Sequence, residues 1–360
     1  MLAASWVVPL FTGCSDMLAK LRRRLMPRSF AAIDLGTMSW VAQSICAFCE
    51  LGLPDALAHG PRTPADLAQR HFGNEAFLAR LLRSLAAYDV VRYCGGSRYA
   101  LGHVGKALTG PDSVAPMILY ANAPWHVGAY AHLAQGVRAG RSGFDIAAGQ
   151  ELFAFLSADP DAGRVFDGAM DALNPLYARP FAQAYDFAHV RSAVDVGGGN
   201  GLLLRAVAWR FPHVRCTVFE MPGVVARANR GGEAVAFIAG DMFTDVPPPA
   251  DCYILSHVLH DWDDAACTRI LANVRAAMTL DSRLLVYELI APPPNNRWSQ
   301  DRITDLEMMA MLTGKERTRE EFVQLFTRCG LRMRRVLRTA ASESVIECVR
   351  DETQARQAAP

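Results

Sequence analysis

The chain has 360 residues, 51% hydrophobic and 20% charged, which suits a globular protein of two or three domains, or one large domain with an accessory part. A formal net charge of +1 argues against nucleic acid or an anionic membrane surface as a partner. No run of about 18 apolar residues is free of charge, so no membrane-spanning helix is expected; nine scattered cysteines, an odd number, favour reduced thiols and a cytoplasmic setting.

Residues 1–28 place an apolar stretch, Trp6 to Phe11, ahead of a basic one, Lys20 to Arg24. A secretory signal has the reverse order, so this segment reads as an extension, mobile or packed on a partner. Residues 29–112 read as helices followed by a hairpin. The apolar run Trp40 to Leu53 is helical in pattern and holds Cys46-x-x-Cys49. With no second pair or nearby histidine at metal-ligand spacing, these two are expected as core thiols. Thr63 caps a helix with Pro64 at its first position. Asn74 to Tyr88 forms a second helix, and two short β runs flank Gly95-Gly96. That order is a winged-helix arrangement. A DNA-binding regulator needs a dense Lys/Arg footprint, and the second helix offers only Arg80 and Arg83. Residues 113–190 read as long helices carrying aromatics such as Trp125 and Phe166, and residues 351–360 as a tail.

Over 191–350 strands and helices alternate, which implies an α/β, doubly wound, Rossmann-like sheet covered on both faces. Ser192 to Leu202 reads as strand, tight turn and helix start, a place where bare N–H groups and a positive helix end meet a ligand. The dinucleotide fingerprint G-x-G-x-x-G fails here, because counting from Gly197 and Gly199 puts Leu202 in its third glycine slot. Asp195, Gly197, Gly199 and Gly201 instead space as D-x-G-x-G-x-G, which resembles the first motif of class I S-adenosylmethionine-dependent methyltransferases. Arg215 to Glu220 is the next strand, and Glu220 ends it about 20 residues past the turn, where an acid can bind ribose hydroxyls. A third strand, Ala234 to Ala239, leads to Asp241, able to accept from an adenine amino group, and to Met242, a soft apolar face for the ring.

The fourth strand, Asp251 to Ser256, runs into His257-Val-Leu-His260-Asp-Trp262. His260 falls just past a strand's carboxyl end, where open α/β sheets keep their sites, and histidine is the natural general base near neutral pH. Glu288 ends the fifth strand, and Glu316 stands just before a Thr-capped helix, Arg319 to Cys329. Flanking carboxylates orient a base and stabilise its protonated form. His257 competes for the role but faces away if strand alternation continues. No G-x-S-x-G nucleophile elbow occurs, and no His/Asp cluster has metal-ligand spacing, so neither hydrolysis nor a metal is expected. Leu331 to Thr339 and Glu343 to Arg350 close the chain as an antiparallel hairpin.

Taken in order, D-V-G-G-G-N-G, G-D-M-F, H-D-W-D-D, Y-E and G-K-E-R-T resemble the O-methyltransferase family that includes plant caffeate and acetylserotonin O-methyltransferases and many bacterial natural-product enzymes. The resemblance covers roughly residues 30–350. It implies S-adenosyl-L-methionine as cofactor, a homodimer formed through the winged-helix domain, and a hydroxylated aromatic or polyketide-like small molecule as acceptor. By the same resemblance His260 is the base with Glu288 and Glu316 beside it, and Gly197, Gly199, Glu220, Asp241 and Met242 contact the cofactor, with Trp262 near the base. Phe166 and Met170 match positions that line the acceptor pocket; Trp125, Met309 and Leu312 extend that apolar list. Two departures stand out: Ser256 replaces a Lys or Arg common four residues before the base, and Glu220 replaces a common Asp. Some relatives of this fold keep the cofactor for hydroxylation or pericyclic chemistry. Retention of all three catalytic positions argues for methyl transfer.

Overall fold

The computed structural model describes residues 4–71, 73–228 and 234–351. Among the described residues, packing forms two compact units: one within residues 18–127 and 159–173, the other within residues 4–17, 128–158 and 174–351.

In the first unit the apolar run around Cys46 makes two helices and not one. Helix Met38–Glu50 ends where Gly52 takes φ 64°, and Leu53–Ala58 restarts with Pro54 in its first turn. Helix Pro64–His71 begins as expected: the Thr63 hydroxyl accepts the Asp66 N–H, and the Asp66 carboxylate accepts the Thr63 N–H, both at 3.1 Å. Asn74 caps the following helix, Glu75–Ala86, by accepting from Phe77 N–H. Strands β1 (Val91–Tyr93) and β2 (Tyr99–Leu101) pair antiparallel after it. Phe48, Leu53, Leu67, Leu82 and Val90 form the buried centre of this unit. Cys46 is buried and Cys49 only partly so; burial pushes both thiols up to about 11, which leaves them unreactive near neutral pH.

The second unit is built on a seven-stranded sheet. Its strands are β3 (Ser192–Val196), β4 (Arg215–Glu220), β5 (Val235–Ala239), β6 (Cys252–Ser256), β7 (Arg283–Glu288), β10 (Leu331–Arg338) and β11 (Ser344–Arg350), in the order β10-β11-β7-β6-β3-β4-β5. Neighbours from β7 to β5 run parallel, and the β10–β11 hairpin adds two antiparallel strands at one edge. Helices cover both faces because the parallel strands are apolar on both sides: Val194, Val196 and Leu255 pack to one cluster, Ala193, Cys252 and Ile254 to the other. Between β7 and β10 lie β8 (Ile290–Ala291) and β9 (Arg317–Thr318), which pair parallel outside the main sheet and were not visible in the sequence pattern.

Residues 4–25 of the N-terminal extension are a helix, Ala4–Leu25. The expected tail lies outside the described residues beyond Asp351. No described helix is long and apolar enough to cross a membrane.

Candidate active site

The chemistry-bearing residues gather at the carboxyl ends of β3, β4, β6 and β7, the edge where parallel α/β sheets place ligands. After β3, Gly197, Gly199 and Gly201 take φ of 76°, 53° and 73°, a run of left-handed residues that only glycine adopts without strain. The turn folds back over Asp195 and delivers the chain into helix Leu202–Arg210. Asp195 is buried, neither carboxylate oxygen has a hydrogen-bond partner, and burial, with Glu220 adding, pushes its carboxyl up to about 8. A buried acid without a donor fits a cationic ligand group, such as the ammonium of a bound amino-acid moiety. Glu220 bridges the turn to its own strand end: one oxygen accepts Gly199 N–H at 3.1 Å, the other Met221 N–H at 2.7 Å. Asp241 accepts from Phe243 N–H at 2.8 Å, and Asn273 donates to the Met242 carbonyl at 3.0 Å, so both residues are held just past β5. Trp262 lies between aromatic neighbours, stacked on Phe153 at 5.4 Å and edge-on to Phe243 at 4.7 Å. The Ser256 hydroxyl is 3.3 Å from His257 Nδ1, so it is engaged locally and has no reach comparable to a lysine's.

His260 lies in a single 3₁₀ turn, Leu259–Asp261, and is 7% exposed. Its Nδ1 is 2.8 Å from Glu316 Oε1 and 3.5 Å from Glu288 Oε2. The other nitrogen, Nε2, is 3.4 Å from Asp261 Oδ1. Glu288 does more than face the ring. Its Oε1 accepts the N–H groups of Val258, Leu259 and His260 at 3.1, 2.9 and 3.4 Å, so a fully buried carboxylate seats the start of the turn. Glu316 is placed from behind by Asp305, which accepts its N–H at 2.9 Å. Three carboxylates around one imidazole hold protons tightly. Burial alone lowers the basicity of His260, but Glu288, Asp261 and Glu316 outweigh it and push the imidazole up to about 10. Burial raises Glu316 as well, and pushes Asp261 up to about 7. The donor atoms of His260, Glu288 and Glu316 lie within 4.8 Å of one another, a constellation able to hold a metal ion that sequence spacing did not reveal. In the structure, the Nδ1–Glu316 hydrogen bond occupies it.

His257 takes φ 53°; its Nε2 is 3.5 Å from Glu343 Oε1, and its ring lies 4.9 Å from that of Tyr177 and 5.5 Å from that of His260, so it does not face away from the base as strand alternation suggested. Among the acceptor candidates, Trp125 and Phe166 pack edge-on against buried Tyr120 in the first unit, at 5.5 and 5.8 Å, and Met170 is 37% exposed. Met309 and Leu312 lie on and just after helix Gln300–Met311 of the second unit. Sequence reading passed over Asp261 and Phe153. Asp261 sits inside the H-D-W motif, so adjacency to the base was its available signal; Phe153 is distant in sequence and had none.

The family model of the O-methyltransferase domain matches residues 130–332, and that of the O-methyltransferase dimerisation domain matches residues 33–111. Mitomycin biosynthesis 6-O-methyltransferase of Streptomyces lavendulae is 37% identical over 314 residues, 84% of this chain and 89% of that one. Phenazine-1-carboxylate N-methyltransferase of Pseudomonas aeruginosa is 32% identical over 316 residues, 85% and 92% of the two chains. The crystal structure of human N-acetylserotonin methyltransferase in complex with S-adenosylmethionine superposes with a TM-score of 0.84 at 26% identity, covering 91% of this chain and 99% of that one. The chain therefore belongs to the O-methyltransferase family and is a methyltransferase that uses S-adenosylmethionine.

Proposed function

We propose that this enzyme methylates a hydroxyl oxygen on a flat aromatic small molecule, with His260 as the general base. The observation that carries the reading is the 2.8 Å contact of His260 Nδ1 with buried Glu316, which supports Nδ1 as the N–H side; Nε2, 3.4 Å from Asp261 Oδ1, is then the nitrogen that takes the acceptor's proton. An ordinary imidazole near 6.5 receives a proton from a phenol near 10 only at a cost of roughly 4–5 kcal/mol. A His260 raised to about 10 closes that gap. The same shift means that near neutral pH the resting imidazole is protonated; it first gives that proton to solvent, neutral Nε2 then takes the proton of the acceptor hydroxyl, and an imidazolium faces the phenolate as the methyl is transferred. Asp195, Gly197, Gly199 and Glu220 hold the cofactor's amino-acid and ribose parts, Asp241 and Met242 its adenine, and Trp262 and Ser256 flank it. When bound, S-adenosylmethionine supplies a methyl carried on a sulfonium. Most of the remaining rate comes from holding the acceptor oxygen in line with it. Met309 and Leu312, in the same unit as His260, supply apolar surface for the ring.

The protein acts as a homodimer. Helix Arg28–Gly36 has no buried residue, and Phe30, just before the matched dimerisation domain, and Ile33 and Trp40 within it are 64%, 60% and 73% exposed. Several large exposed apolar side chains in this region favour a partner surface. Light scattering at micromolar concentration should give twice the chain mass; a monomer contradicts it.

Incubation with methyl-labelled S-adenosylmethionine and a panel of hydroxylated aromatics, with mass spectrometry of products, tests the reaction. Label on oxygen supports the reading; label confined to nitrogen, or no transfer to any phenol, overturns it.

A further inference from the structure

The turn that carries His260 is gripped at both ends, and the second grip comes from a residue so far without a role. Glu288 takes the three N–H groups at the start of the turn. At its end, the guanidinium of Arg317 donates to two carbonyls: Nη1 to Leu259 O at 2.6 Å and Nη2 to Trp262 O at 2.8 Å. The same guanidinium donates from Nε and Nη2 to Asp264 Oδ1 at 3.1 and 2.8 Å. Arg317 is 1% exposed, a fully buried cation whose donors go to the backbone beside the base. The backbone before it is equally close. A Cβ built on Gly314 would lie 1.8 Å from the His260 carbonyl oxygen and 2.4 Å from the Asp261 carbonyl carbon, so the chain lies flush on the turn and admits no side chain there. Glu316 and Arg317 are consecutive, and they brace the base together: Glu316 holds the imidazole, Arg317 the carbonyl just before His260 and that of Trp262 two residues on.

We infer that Arg317 is a positioning residue for the base, with Gly314 as its close-packed seat. A carboxylate at the amino end and a guanidinium at the carboxyl end oppose the partial charges of the turn's own N–H and C=O groups. The fork geometry matters: two carbonyls and a carboxylate are met by one rigid planar group, which a lysine ammonium cannot reproduce. Holding the peptide groups fixes where Nε2 points, and an error of about 1 Å there costs on the order of 100-fold in rate. This inference rests on His260 being the base.

The test compares Arg317→Lys, Gly314→Ala and His260→Ala with the wild-type enzyme, using a phenolic acceptor. Turnover is expressed per S-adenosylhomocysteine site counted by calorimetric titration, so that unfolded protein does not enter the ratio. Arg317→Lys and Gly314→Ala are expected to lower kcat per site about 10- to 100-fold, with the S-adenosylhomocysteine Kd and acceptor KM within about threefold of wild type. Asp264→Asn, at a half-buried position that braces the guanidinium and also pairs with Arg328 at 3.6 Å, is expected to lose less, roughly twofold to fivefold. If His260→Ala loses turnover while Arg317→Lys and Gly314→Ala keep wild-type kcat per site, the positioning role is overturned and the base survives. If His260→Ala keeps turnover, the base assignment falls first.

Discussion

The glycine turn after β3 and the cluster around His260 occupy the same edge of one sheet, yet they are made in opposite ways. The turn is local: Asp195 to Gly201 is one contiguous stretch, its shape set by backbone φ, and Glu220 joins it by accepting Gly199 N–H at 3.1 Å. The cluster is assembled from residues 260, 261, 288 and 316, which meet only because β6 and β7 are neighbours and β9 brings the later segment back. Its working property, an imidazole raised to about 10, belongs to no single residue. The contrast predicts that damage to the turn abolishes binding and spares the cluster, whereas damage to the cluster abolishes rate and spares binding.

Gly199→Val should have the largest effect. A β-branched residue at φ 53° is strained and blocks approach of ligand to backbone, so calorimetry with S-adenosylhomocysteine should show no binding. Near-normal affinity in that variant would contradict the account of the turn. His260→Ala should do the reverse: turnover falls roughly 10²- to 10⁴-fold with cofactor affinity nearly unchanged, as read from single-turnover rates and titration. Within the cluster the two glutamates should separate. Glu316→Gln still accepts from Nδ1 through its amide oxygen and should lose about 10-fold. Glu288→Gln should lose more, about 100-fold, because the amide must keep three backbone N–H bonds and then turns its NH₂ toward Nδ1. Equal losses from the two changes would argue that Glu288 acts through charge alone.

The smallest effect is on stability. His260 titrates near 6.5 when unfolded and near 10 in the fold, so its contribution is complete below about 6.5 and is lost as pH rises toward 10. The melting temperature of the wild-type chain should therefore fall more steeply between pH 6.5 and 10 than that of His260→Gln. Parallel slopes would show that the imidazole is not raised.

The same contrast explains what the sequence could disclose. Glycine spacing, a strand ending on Glu220 and the Thr63 and Thr318 caps are each written in a few adjacent residues, and the structure has the turn, the strand and both capping arrangements. The sheet and the closing hairpin followed from alternation of apolar runs. The break at Gly52 was hidden because the apolar pattern continues across it and only the φ of 64° ends the helix. Helix Ala4–Leu25 was hidden by Pro9 and Gly13, which weaken any helical signal. Asp261, the three N–H groups on Glu288, and the Arg317 fork depend on contacts between distant segments, and no local pattern records them. His260, Glu288 and Glu316 were named as candidates, but how far three carboxylates raise the imidazole could be seen only once burial and distances were known.

The measurement that tests the central claim most directly is the pH dependence of kcat/KM with an acceptor whose hydroxyl titrates near 7. With His260 raised to about 10, imidazolium and phenolate coexist between the two values. The wild-type enzyme should then rise to about pH 7, stay flat to about pH 10 and fall beyond it, and His260→Ala should lack the alkaline fall. A wild-type profile that peaks near pH 7 and declines well before pH 9 would contradict the account, because it would place the imidazole at its ordinary value and leave the carboxylates without effect on it.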